Sequence, residues 1–106
     1  MPLTIKPYGA GYQVTGTVTS GTTSEIVYVP QLRPFTGMTI AMSPSAGGSS
    51  LLKYSVSSNP TSGSAVWING DNGTVATSVN IERVYMPLSA FTVTATGNDV
   101  YVEALV

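Results

Sequence analysis

Apolar and polar residues alternate with a period of two in short bursts, and each burst ends in residues that turn a chain. From Tyr12 to Thr19, the positions Tyr12, Val14, Gly16 and Val18 share one face and Gln13, Thr15, Thr17 and Thr19 the other, as a half-buried strand requires. Ser20 to Thr23 reads as a turn leading into the β-branched run Glu25 to Val29, and Pro30 and Pro34 bound the loop that follows. Met38, Ile40 and Met42 alternate next, then Leu52, Tyr54 and Val56, with Ser- and Gly-rich loops at 43–50 and 57–64. Ala65 to Asn69 is apolar, and 69–73 (Asn-Gly-Asp-Asn-Gly) is dense in residues that tolerate positive φ, which predicts a hairpin tip. Val75, Thr77, Val79 and Ile81 alternate with Ala76, Ser78, Asn80 and Glu82, and Val84 to Met86 continue past a bend. Phe91, Val93 and Ala95 follow Pro87, and Gly97-Asn98-Asp99 turns the chain into a final strand, Val100 to Leu105.

Eight to nine short strands at intervals of about ten residues predict an all-β fold, an antiparallel β-sandwich or jelly roll. Helical periodicity of the i, i+3, i+4 kind is missing. Thr22 and Glu25 have capping-box spacing, but Ile26, Val27, Tyr28 and Val29 follow, so the match is coincidental. At 106 residues the chain is one domain, read as an extended N-terminal arm over 1–11 and a single sandwich over 12–106. The arm is expected to add to a neighbour's sheet edge, with Leu3, Ile5, Pro7 and Tyr8 as its contact residues.

Charge changes this picture most. The chain carries four Lys or Arg and five Asp or Glu, and this 8% charged share is about a third of the usual ~25% for soluble domains. Charged side chains are excluded from interface cores, so their depletion implies a surface that meets other protein. A net charge of −1 sets up no field to gather nucleic acid or anionic lipid. Lys6, Arg33, Lys53 and Arg83 lie too far apart in sequence to form a phosphate-neutralising patch, so no nucleic-acid partner is expected. No run approaches the ~18–20 apolar residues of a membrane helix, and residues 1–7 lack a secretory h-region. Synthesis in a cytoplasm is the resulting expectation, with any external position reached as part of a larger particle.

The chemistry available is sparse. There is no histidine and no cysteine, which removes the usual general base, the commonest activated nucleophile, disulfides and thiolate metal sites. A carboxylate pair drawn from Glu25, Glu82 and Glu103 could in principle cleave glycosides if two stood ~5–9.5 Å apart across a groove. Their bland reading, as solvent-facing strand residues, is preferred, with Asp71 and Asp99 on turn tips, and no enzyme activity is expected. The 69–73 segment loosely resembles the start of a calcium loop, but a tight turn explains the same residues, so no metal or other cofactor is expected. Asn72-Gly73-Thr74 is a sequon, discounted without a secretory route, and Gly9-Ala10-Gly11 lacks the third glycine of a dinucleotide fingerprint. Trp67 is the ambiguous residue, either a stacking platform for a sugar ring or a packing or interface aromatic. The six tyrosines are scattered rather than clustered, which favours packing.

Residues 64–75 (Ser-Ala-Val-Trp-Ile-Asn-Gly-Asp-Asn-Gly-Thr-Val), 86–97 (Met-Pro-Leu-Ser-Ala-Phe-Thr-Val-Thr-Ala-Thr-Gly) and 100–105 (Val-Tyr-Val-Glu-Ala-Leu) carry a further pattern. A Trp before a Gly/Asp turn, a Pro-x-Ser-Ala opening to the penultimate strand and a closing Gly-x-x-Val-x-Val-Glu strand resemble small β-structured virion proteins of tailed bacteriophages. Thr92 stands where many of those sequences have arginine. The resemblance implies a noncatalytic capsid cement or decoration protein on the outer capsid surface of the virion. Its partners would be copies of itself, commonly as a homotrimer, and the major capsid protein. The alternative is a carbohydrate-binding or receptor-binding module of a tail or head fibre, with Trp67 as its platform.

Overall fold

The computed structural model describes residues 3–9, 11–29, 37–70, 77–84 and 88–106. Among them nine strands form: β1 (Thr4–Tyr8), β2 (Gly11–Val18), β3 (Val27–Tyr28), β4 (Met38–Pro44), β5 (Ser49–Ser55), β6 (Trp67–Asn69), β7 (Asn80–Val84), β8 (Ala90–Thr96) and β9 (Val100–Leu105). They make a five-stranded sheet in the order β1-β2-β9-β4-β7 and a four-stranded sheet in the order β3-β8-β5-β6. Every pairing is antiparallel. The pairs β5·β6, β4·β7, β3·β8 and β2·β9 are nested one inside the next, as if a single long hairpin had been rolled up. The contacts β4·β9 and β5·β8 close the roll into two layers. This is jelly-roll topology, with β1 added at one edge.

Alternation places the core between the sheets. Val14 and Val18 of β2, Ile40 and Met42 of β4, and Val100 and Val102 of β9 are all buried from one side. Leu52 of β5 and Phe91, Val93 and Ala95 of β8 meet them from the other. Cross-strand register keeps each set on one face: Gly16 opposes Val102, Val102 opposes Met42, and Leu52 opposes Val93. The strands read from the sequence at 12–19, 38–42, 91–95 and 100–105 therefore stand where alternation puts them.

Three segments depart from their expected form. The run Glu25 to Val29 yields a strand of only Val27–Tyr28, because the preceding residues pair with β8 through a side chain. Ser24 Oγ accepts from Val93 N at 2.9 Å while Ser24 N donates to Val93 O at 2.8 Å, so the hydroxyl replaces a ladder carbonyl. In the second departure, Met38 opposes Val84 and Ala41 opposes Ile81, which turns Val84 into the core and Ile81 out of it. The apolar phase of this strand faces solvent: Ile81 is 54% and Val79, just before it, 66% exposed.

The third concerns the arm. Thr4 to Tyr8 are extended, but they pair with Thr15 to Gly11 of their own chain, and Leu3 lies in the core cluster. Tyr12 and Val106 exchange both backbone hydrogen bonds at 3.0 Å, so Tyr12 and its alternates address β9 while Gln13 and Thr15 address β1. Lys6 and Thr4 consequently face β2, and the main chain of Leu3, Ile5 and Pro7 faces outward. Leu3 N donates to Glu25 Oε1 at 2.8 Å and Pro7 has no N–H, which leaves Ile5 as the outward donor of the three. Such an edge is a poor template for another strand.

Replacing Phe91 by Ala is expected to lower the unfolding free energy by about 3–5 kcal/mol in urea titrations, through loss of a fully buried ring. Gly97 and Gly21 both sit in the left-handed region, with φ of 80° and 77°, but a Cβ at Gly97 would lie 2.7 Å from the Gly47 carbonyl while at Gly21 it meets open space. Gly97→Ala should therefore destabilise by more than the ~1–2 kcal/mol of left-handed backbone strain expected for Gly21→Ala in the same titration.

Candidate interaction surfaces

The structure keeps the sequence-nominated carboxylates apart. Glu82 opposes Ile40 on the core-facing side of the five-stranded sheet, whereas Glu103 opposes Ala41 on its outer side. No shared groove can lie between them. Glu25 is tied to Leu3 N, and Asp99 Oδ1 accepts from Ser20 N at 2.8 Å, fastening two turns to each other. The Glu82 carboxylate occupies the space where a Cβ at Gly70 would stand. Among the described residues no group of three or more His, Cys, Asp or Glu could hold a metal ion. Asp71, Asn72 and Gly73 of the nominated calcium loop lie outside the described residues.

Trp67 stands on the outer side of the four-stranded sheet, in register with Ser55. Its indole Nε1 donates to Pro60 O at 3.3 Å, pinning the loop between β5 and β6 against the sheet. Hydroxyls of that loop bond within it: Val66 N donates to Ser57 Oγ at 2.9 Å, Thr61 Oγ1 to Asn59 Oδ1 at 2.8 Å, and Ser62 Oγ and Ser64 Oγ lie 3.0 Å apart. The aromatic ring is thus half-buried and used as a structural clasp.

A larger surface is the outer side of the five-stranded sheet. Register arranges its side chains in rows: Lys6, Gln13, Leu105, Thr39 and Arg83 in one, and Thr4, Thr15, Glu103, Ala41 and Ile81 in the next. A third row holds Thr17, Tyr101 and Ser43. Leu105 and Tyr101 are 46% and 45% exposed. Because Ala41 is short beside Ile81, Leu105 and Glu103, a shallow depression of about 170 Å³ opens over it. Tyr101 Oη donates to Glu103 Oε1 at 3.0 Å, and this hydrogen bond, followed by desolvation and the nearby negative charge, raises the Tyr101 pKa above its usual 10.0.

A second apolar surface lies at the β5·β6 edge of the opposite sheet. Val56, Val66 and Ile68 are 55%, 60% and 40% exposed there. Of the nominated arm residues, Leu3 is buried, while Ile5, Pro7 and Tyr8 lie exposed on β1. The sequence reading did not select Ile81, Tyr101 and Leu105. Their signal was present in β9, where Tyr101 and Leu105 interleave with three core residues and so must point away from the core.

Searches against protein-family models, curated proteins and solved structures returned no match. What the fold and surfaces define is a class, a jelly-roll domain whose exposed apolar residues gather on opposite sheets.

Tyr101 is expected to titrate at lower pH in a Glu103→Gln variant, because the carboxylate that holds its proton is gone. The sign follows from a folded pKa above the unfolded one: the contribution is present below the unfolded pKa and lost as pH rises through the folded pKa. Ultraviolet difference absorbance against pH checks this, and an unchanged midpoint would refute the coupling.

Proposed function

We propose that this chain is a noncatalytic structural protein of a phage virion, a cement or decoration protein bound to the outer capsid surface and bridging the major capsid protein. The observation that carries the reading is a pair of exposed apolar patches, one on each sheet: Ile81, Ala41 and Leu105 among scattered charges on one, Val56, Val66 and Ile68 at the β6 edge of the other. A bridging protein needs two adhesive surfaces, and exposed apolar groups of this kind mark sites of protein contact. Charge depletion suits permanent burial of both. Jelly rolls serve capsid and lectin domains alike, so the fold class supports neither reading over the other. The competing sugar-binding reading draws less support, since the Trp67 N–H is already engaged and the loop hydroxyls beside it bond one another.

Purified particles should carry the chain at a fixed ratio to the main shell subunit. A folded Val66→Arg, Ile68→Arg double variant should bind those particles at least roughly tenfold more weakly in co-sedimentation, as loss of an apolar anchor does. Absence of the chain from particles, together with Trp67 fluorescence that shifts on glycan addition, would overturn the proposal in favour of the sugar-binding module.

A further inference from the structure

From the outer side of the five-stranded sheet we infer that this face binds a second copy of the same chain about a two-fold axis. The inference rests on the face itself and not on the virion reading, and its two-fold pairing differs from the homotrimer that the phage resemblance implies.

The first argument is the phase of β7. An edge strand that served only its own core would turn its apolar residues inward, yet Ile81 faces outward and Glu82 takes the core-facing side. The same side of the sheet shows Leu105 and Tyr101, each about half exposed. Arg83 on β7 and Glu103 on β9 flank these apolar side chains on the same side of the sheet.

The second argument is charge complementarity with a copy of itself. Glu103 and Arg83 are two strands and one row apart, roughly 10 Å across and 7 Å along, and form no ion pair with each other within one chain. A two-fold axis lying in the interface midway between them passes over β4 between Thr39 and Ala41. Rotation about it sets Glu103 of each copy against Arg83 of the other, giving two ion pairs from one operation. The same axis runs within roughly 2 Å of Leu105 and Ile81, so each of these meets its own equivalent across the interface. Between them lies the depression over Ala41, so the hollow, the apolar side chains and the paired charges are centred on one line. An isologous contact of this sort is self-complementary and closed, so it ends at two copies.

Five strands at ~4.8 Å and about seven residues at ~3.3 Å make a plane of roughly 550 Å² per copy, of which about half overlaps its mate because the axis lies over β4 rather than over the sheet centre. The contact therefore belongs to the small, weak class below ~1,200 Å². Strand addition at β1 is the competing geometry for self-association, and Pro7 and the Leu3–Glu25 hydrogen bond oppose it.

Sedimentation equilibrium of the purified chain should show a dimer. Glu103→Arg and Arg83→Glu, both on an exposed face, should each weaken it by roughly a hundredfold by setting like charges together, and the two combined should recover it to within about tenfold. Because the chain has no cysteine, Thr39→Cys should be cross-linked into dimers by a bis-maleimide spanning about 10 Å, whereas Thr4→Cys, far from the axis, should not. Unchanged circular dichroism would show that each variant is folded. A monomer at high concentration, a trimer, single variants that still dimerise as the wild type does, or cross-linking through Thr4→Cys rather than Thr39→Cys would overturn the inference. Particle binding lost while the dimer persists would count against the virion reading alone.

Discussion

The position of β9 is the constraint on which the molecule depends. It bonds to β2 on one side and β4 on the other, and its register decides which residues of the five-stranded sheet face inward. Val100, Val102 and Ala104 are buried, so Tyr101, Glu103 and Leu105 must be presented outward. A slip of one residue would exchange the two sets and expose the centre of the core. Closure of the roll and exposure of the outer face are thus one decision.

The polar groups of the fold are largely spent on holding loops to strands. Ser24 stands in for a ladder carbonyl, Glu25 holds the first strand, Asp99 joins two turns, and Ser55 Oγ donates to Val66 O at 2.8 Å. A chain with nine charged residues has few left for solvation, and its outer faces are consequently built from threonine, alanine and exposed aliphatics. Among the described residues Ser50 Oγ is buried beside Leu52 with no hydrogen-bond partner. Burial of such a group is unfavourable unless it is paired, so this hydroxyl is a weak point in an otherwise apolar layer.

The two exposed apolar surfaces differ in make-up. The five-stranded sheet offers a broad outer face with charges of both signs, whereas the β5·β6 edge offers Ile68 on the core-facing side, opposite Tyr54, with Trp67 on the other side. They belong to different sheets, but of the two only the first lies on the side of a sheet turned away from the core.

By itself the sequence determined the all-β class, most of the strands and the poverty of reactive groups, because a period of two and turn residues act locally and need no partner to be read. It also marked Trp67, left between a sugar platform and a packing or interface aromatic, and Leu3 and Ile5, as an arm rather than as a core residue and a paired edge. Which face of β7 lies inside was settled by its register with β4, and the fate of residues 3–8 by pairing with β2. The separation of Glu82 from Glu103 and the assembly of Ile81, Ala41 and Leu105 into one surface came from tertiary structure as well. Alternation shows that a strand has two faces, but only the neighbour across the ladder selects which one meets water.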